Sequence, residues 1–418
     1  MVSFRSSAVC GLPVSLPLSF STFSWMILCQ LFFLFVSTPH FTDGALAKTG
    51  IASTTSPNPA IKTAISSVTT SPGQRPVHKN LSPLRPPFPN GPCGGTVVEI
   101  PPSETYAVDT HLNGNTLVLP PRTIKVWLPP GFPQRGKKAS TNASSSLSKS
   151  PPTPSTQTWT TLYCHDGQNA MTDSDSWTGN SWRLMGALTR LMERDLLTVN
   201  PSNLIVVMIP SASEQWLGGT VRRRHLEYAD GGLAQEAHAH FVAKTLVPYI
   251  DNRFWGSTGT TDTTGSAPTH ERYLMGSSMG GLASLQLLLE HPDLFSGAAC
   301  LSPYFTPLSV QSVAEKGESI RDKRVYMDIG GDMGETRVPF LDLLDHVAAS
   351  ELRFQNPGYF WLDTQLQPTV SAMKTVMKQK GFSDMLYHEE PGGRHNERAW
   401  AQRIDLPLLH LFGKRYAD

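Results

Sequence analysis

Glu271–Pro292 reads ERYLMGSSMGGLASLQLLLEHP, in which two serines and three glycines separate a strand-like apolar run from a helix-like one. A hairpin would carry Asn-Gly or Asp-Gly here, and a phosphate-binding loop would follow its glycines with Lys. Neither is present. Ser278 instead sits between Gly276 and Gly280 in the pattern G-x-S-x-G. At a sharp strand-to-helix turn, small neighbours let the two backbones approach and push the serine hydroxyl out above the strand ends. The helix N-terminus behind it favours developing negative charge.

Working outward, the same alternation recurs. Apolar runs at Thr158–Cys164, Asn203–Pro210, Arg272–Gly276, Gly297–Pro303, Arg324–Gly330 and Met385–Pro391 are separated by segments of helical spacing, such as AQEAHAHFVAKTLVPYIDNRF. Strands alternating with helices predict a mostly parallel sheet covered on both faces. Thr116–Phe132 (TLVLPPRTIKVWLPPGF) predicts one or two strands at a sheet edge, where its prolines are tolerable. No internal repeat is visible.

The chain has 418 residues, 39% of them hydrophobic, which is ample for one large core; its 34 prolines point to further chain that is not packed. Thirty-five Lys and Arg stand against 34 Asp and Glu, so no basic face for nucleic acid and no acidic tail is expected. Five cysteines form no Cys-x-x-Cys pair and no cluster with histidine, so no metal is expected. Cys164 and Cys300 fall in apolar runs and read as buried, inert thiols.

Residues 1–47 read as a targeting segment. Arg5 is the only Lys, Arg, Asp or Glu before Asp43, SWMILCQLFFLFVS (Ser24–Ser37) is apolar, and GALA ends at Ala47. This favours a signal peptide and the secretory pathway or extracellular space, with an uncleaved anchor as the alternative and the one route to a membrane. Residues 48–92, rich in Ser, Thr and Pro, predict a disordered linker, and 93–418 the folded domain. Within it, 135–157 predicts a low-complexity surface insertion. Asn80 and Asn142 each begin an Asn-x-Ser sequon.

A serine nucleophile needs a base, and the base needs an orienting carboxylate; in this sheet type they follow in the order Ser, acid, His. MLYHEEPGGRHNERAW (Met385–Trp400) places His395 after a strand and a Pro-Gly-Gly turn, while His388 lies within the strand, and His291 and His346 in helical segments. For the acid, RVYMDIGGDMGET offers Asp328, Asp332 and Glu335. Asp328 falls inside the strand and reads as packing. Asp332 follows the strand after Gly330-Gly331 and is the expected acid, with Glu335 as the alternative. For the oxyanion, Met279 N–H follows the nucleophile directly, and LYCHDGQNAM (Leu162–Met171) supplies Gln168 N–H; Asp166 and Asn169 read as holding that loop. Trp177, Trp182 and Tyr304 are candidate substrate contacts.

LYCHDGQN, GSSMGG, the Gly-Gly-Asp after a strand and PGGRHNERAW together resemble the Putative esterase (esterase D-like) family of α/β-hydrolases. That family includes enterochelin esterases, feruloyl esterases, S-formylglutathione hydrolases and mycolyltransferases. The resemblance runs from about Pro120 to the C-terminus, with VWLPPGF and RRRHLEYA also fitting. It implies an α/β-hydrolase fold, a small-molecule ester substrate and no cofactor. Ser278 matches the nucleophile, Asp332 the acid, His395 the base, and Gln168 and Met279 the oxyanion donors, and Arg224 a site position. The Gly-Gly-Asp segment is tighter than the family's Gly-x-x-Asp spacing. Two other readings share these residues: an acyltransferase with the same triad, and a catalytically silent binding module.

Overall fold

The apolar runs become the centre of a sheet in the computed structural model, which describes residues 86–105, 110–112, 115–117, 119–133, 158–213, 215–216, 221–232, 234–256, 269–331 and 362–414. All belong to the compact unit Thr70–Asp418. The targeting segment, most of the linker, the 135–157 insertion, both sequons, Asp332, Glu335 and His346 lie outside the described residues.

The strands in chain order are β1 (Thr96–Ile100), β2 (Thr110–Leu112), β3 (Asn115–Leu117), β4 (Ile124–Leu128), β5 (Thr158–His165) and β6 (Leu204–Ile209). Then come β7 (Gln215–Trp216), β8 (Val221–Arg222), β9 (Thr269–Ser277), β10 (Gly297–Leu301), β11 (Arg324–Ile329) and β12 (Met385–Glu389). Eight of them form the main sheet in the order β1-β4-β6-β5-β9-β10-β11-β12. The pairings from β6 to β12 are parallel, while β1 with β4 and β4 with β6 are antiparallel. This is the mostly parallel sheet that the alternation predicts, in the α/β-hydrolase architecture that the resemblance implies. The edge differs from expectation: β1 takes it, and β4 lies one strand in. Pro120, Pro121, Pro129 and Pro130 flank β4 without interrupting its ladder, so no open edge is needed to accommodate them.

Continuous apolar runs are required because both faces are buried. In β6, Ile205, Val207 and Ile209 enter one core cluster while Leu204, Val206 and Met208 enter the other. β9 and β10 alternate the same way, with Leu274, Ala298 and Cys300 on one side and Met275, Ala299 and Leu301 on the other. Helices Met279–Glu290 and Leu362–Gln379 cover the first face, and Leu184–Glu193 and Asp405–Phe412 the second. Cys164 and Cys300 are fully buried free thiols, and burial pushes both thiols up. The packed chain begins ahead of Cys93, since Phe88 is buried in the second cluster and its carbonyl accepts from Arg183. No described helix is long and apolar enough to cross a membrane.

The chain passes from β4 to β5, steps to β6 on one side, and then reaches β9 on the other. The carboxyl ends of β5 and β9, neighbours across this reversal, are where an open α/β sheet leaves a crevice.

Candidate active site

Ser278 follows β9 and caps helix Met279–Glu290 with φ 55° and ψ −122°, a left-handed conformation that an L-residue adopts only when its surroundings hold it there. Its backbone is held on both sides: Ser278 N–H donates to Leu301 O (2.8 Å), and the N–H groups of Tyr304, Gly281 and Leu282 donate to Ser278 O (2.9, 3.1 and 3.2 Å). Both glycines of the motif are there for space. A Cβ on Gly276 would lie 2.3 Å from Gly280 O, and one on Gly280 would lie 2.6 Å from Asp166 Oδ2.

Asp166 connects the nucleophile turn to the next strand. It follows β5 with φ 54° and opens the short turn Gly167–Asn169. Arg224 clamps its carboxylate with two bonds of 2.7 and 2.6 Å, and the guanidinium also lies over the Tyr228 and Trp177 rings. The Gln168 side chain exchanges hydrogen bonds with Ser211, Nε2 to Oγ at 2.9 Å and Ser211 N–H to Oε1 at 3.0 Å. Gln168 and Met279 thus stand at the carboxyl ends of two paired parallel strands.

His165 fastens the back of this arrangement. Ser284 donates its single hydroxyl proton to Gly280 O (2.8 Å), so its oxygen accepts from His165 Nδ1–H at 2.9 Å. That fixes the neutral tautomer. Burial pushes the His165 imidazole down to about 4, with Asp166 opposing and Arg224 adding to the effect; His238, its ring centroid 5.2 Å away, is held well below its usual value chiefly by burial. The unfolded chain takes up these protons first, near pH 6.5, so stability falls as pH drops from about 6.5 to about 4. His165 alone accounts for roughly 3 kcal/mol over that window. Urea unfolding midpoints measured against pH are expected to show this slope, reduced in His165→Gln; an unchanged slope in the variant rules out the assignment.

His395 is buried in the turn after β12, with Nδ1 2.6 Å from Asp363 Oδ1 and its ring edge-on to Trp400 at 5.1 Å. Asp363 lies in the first turn of helix Leu362–Gln379, and its Oδ2 accepts from Ser302 Oγ (3.0 Å) and Gly330 N–H (2.9 Å). The Ser302 hydroxyl itself accepts from Trp400 Nε1 (3.0 Å) and Arg403 Nη2 (2.9 Å), which leaves its proton for Asp363. Arg403 is fully buried against Asp328, whose Oδ1 also takes the Ser302 N–H at 2.7 Å. Burial alone raises the Asp363 carboxyl, but the His395 charge and hydrogen bond, with Arg403 and Ser302, outweigh it and hold the group below its ordinary value.

The carboxylate on His395 is therefore Asp363, which the sequence reading did not consider. Asp332, the expected acid, lies outside the described residues, as does Glu335. The two glycines ahead of Asp332 serve the site in another way. Gly330 gives its N–H to Asp363 and has no room for a Cβ, which would lie 2.4 Å from Asp363 Oδ2. Gly331 N–H donates to Gly393 O at 2.8 Å, tying the end of β11 to the turn that carries His395.

Among the candidate substrate contacts, Trp182 is corrected to core packing: it is fully buried in the cluster that also holds Phe88, Trp127 and Leu162. Phe305 is likewise buried. Arg224 is bonded to Asp166, the residue before the Gly167–Asn169 turn. Trp177 is half-buried, with Nε1 3.0 Å from Glu397 Oε1, and Tyr304 is 36% exposed beside the nucleophile turn. His388 bonds Glu390 within its strand region, and Asp328 is spent on Arg403. Among the described residues, no group of three His, Cys, Asp or Glu side chains is arranged to hold a metal.

Comparison with known proteins fits this geometry to a class. The Putative esterase family matches residues 141–406, and the chain belongs to it: it is an ester-hydrolysing enzyme of α/β-hydrolase fold. Solved structures with similar folds include the enterobactin esterase of Shigella flexneri, 14% identical over 79% of this chain and 62% of that one, TM-score 0.43. The siderophore hydrolase EstB of Aspergillus nidulans is 16% identical over 70% and 90% of the two chains, TM-score 0.44. A feruloyl esterase module from Clostridium thermocellum, complexed with sinapinate, is 15% identical over 79% and 93%, TM-score 0.43. This chain thus spans less than two thirds of the Shigella enzyme's length. No curated protein matches the sequence.

Proposed function

We propose that the chain is a serine carboxylic-ester hydrolase in which Ser278, His395 and Asp363 form the triad and the reaction passes through an acyl-enzyme. The observation that carries this reading is the 2.6 Å bond between His395 and Asp363, at the same carboxyl edge of the sheet where Ser278 turns out of β9. His395 takes the Ser278 hydroxyl proton as Oγ bonds to the ester carbon. The carbonyl oxygen becomes an anion facing the Met279 and Gln168 N–H groups, each such donor being worth about 3–4 kcal/mol. Collapse breaks the C–O bond, and His395 delivers the proton to the departing alcohol. Water then attacks the acyl-enzyme by the same proton path, releasing the acid and restoring Ser278. Asp363, already satisfied by Ser302 and Gly330, stays ionised and stabilises the imidazolium.

The substrate class is a small-molecule ester, and the half-buried Trp177 and the exposed Tyr304 beside Ser278 are the side chains expected to touch it. The apolar N-terminal segment supports a secretory-pathway address. The test is turnover of short p-nitrophenyl esters together with fluorophosphonate labelling, the modified residue being identified by mass spectrometry. Labelling at Ser278 with release of free acid is the expected result. A folded protein that neither labels nor turns over refutes the reading, and acyl transfer to an added alcohol in preference to water turns it into an acyltransferase.

A further inference from the structure

Glu397 lies two residues past His395, and its side chain points into the protein, with 1% of the residue exposed. Its Oε1 accepts from Asn169 Nδ2 (3.1 Å) and from Trp177 Nε1 (3.0 Å). Asn169 closes the turn that carries Gln168: its N–H donates to Asp166 O at 2.9 Å, and its Oδ1 accepts from Ser176 at 3.1 Å. One carboxyl group therefore joins three segments of the site: the base turn, the oxyanion turn and the loop bearing Trp177.

Among the described residues, the groups that hydrogen-bond the Glu397 carboxyl are neutral: Asn169, Trp177, the Thr178 side chain and its own backbone N–H. The charged groups around it come from three directions. Asp166, on the oxyanion turn, opposes ionisation and is itself paired with Arg224, whose guanidinium lies 5.9 Å from the Trp177 ring centroid. On the Glu397 segment, His395 is bonded to Asp363, and Arg398 is exposed. Burial raises the Glu397 carboxyl, against the pull of the Trp177 bond, and Asp166 adds to the rise.

We propose that Glu397 is a positioning residue whose buried carboxyl group locks the oxyanion turn to the base turn, so that Gln168 and His395 keep a fixed separation. The inference rests on the Ser278–His395–Asp363 reading.

The experiment compares wild type, Glu397→Gln and Glu397→Ala in the full chain. It measures kcat and KM for p-nitrophenyl acetate from about pH 5 to about pH 9, with fluorophosphonate labelling and circular dichroism alongside. Glu397→Ala is expected to lower kcat by about 10- to 100-fold with a smaller change in KM. Glu397→Gln, which keeps the side chain's length and an oxygen to accept from Asn169 and Trp177, is expected to recover to within about threefold of wild type. The proposal is overturned if Glu397→Ala turns over like wild type, or if a folded Glu397→Gln is as impaired as the alanine variant. Should the alanine variant unfold, the kcat and KM of the glutamine variant decide. Wild type that fails to label at Ser278 removes the triad reading and this inference together. Normal wild-type labelling with an indifferent Glu397 removes the inference alone.

Discussion

Ser278→Ala is expected to abolish fluorophosphonate labelling and to lower kcat/KM for p-nitrophenyl acetate by about 10⁴-fold or more, with the fold intact. The loss is large because no other described hydroxyl shares the position: Ser277 is buried in the last residue of β9, and Ser284 is committed to Gly280 and His165. The fold should survive because the bonds that hold the turn are made by the Ser278 backbone, through its N–H to Leu301 and its carbonyl to Tyr304. Alanine carries the same Cβ into the φ 55° conformation and adds no new strain. Residual turnover above buffer would come from the oxyanion donors alone. Labelling that persists in the variant, or a rate close to that of wild type, would show that the nucleophile is another residue.

The second large effect separates two carboxylates. Asp363→Asn is expected to lower kcat/KM by about 10⁴-fold, whereas Asp332→Asn stays within about threefold of wild type. The reason is hydrogen-bond polarity. Ser302 O–H and Gly330 N–H both donate to Asp363 Oδ2, so the amide oxygen of an asparagine must take that place. Its NH₂ then faces His395 Nδ1 and forces that nitrogen to accept, which moves the imidazole proton to Nε2. An imidazole protonated at Nε2 cannot take the proton from Ser278. Fluorophosphonate labelling should slow in parallel, and raising the pH should not restore it. If Asp332→Asn carried the loss and Asp363→Asn did not, the triad acid would be Asp332.

Parts of this site were legible because their causes are local. Gly276 is a glycine because a Cβ there would meet Gly280 O within the same turn. A constraint confined to one turn leaves its mark in neighbouring residues, so G-x-S-x-G could be read directly. The Pro-Gly-Gly turn before His395 and the αL turn after β5 are similarly short-range. Trp182 misled because an indole at a motif reads the same whether it packs inward or lines a cleft. Arg224 read as a site residue, and its partner proved to be Asp166, from a strand end 58 residues earlier in the chain.

The sequence by itself determined the layered sheet, the G-x-S-x-G turn at Ser278 and the Pro-Gly-Gly turn before His395, because apolar alternation and glycine spacing act over a few residues at a time. Only the tertiary structure decided which carboxylate meets His395 and what holds it there. Asp363 is separated from the end of β11 by more than thirty residues of chain and enters through the first turn of a helix, with no motif around it. Its place depends on the donors Ser302 and Gly330, with Arg403 behind Ser302, drawn from three other segments, and on the cost of burying a carboxylate unless donors converge on it. Spacing along the chain carries no record of that convergence.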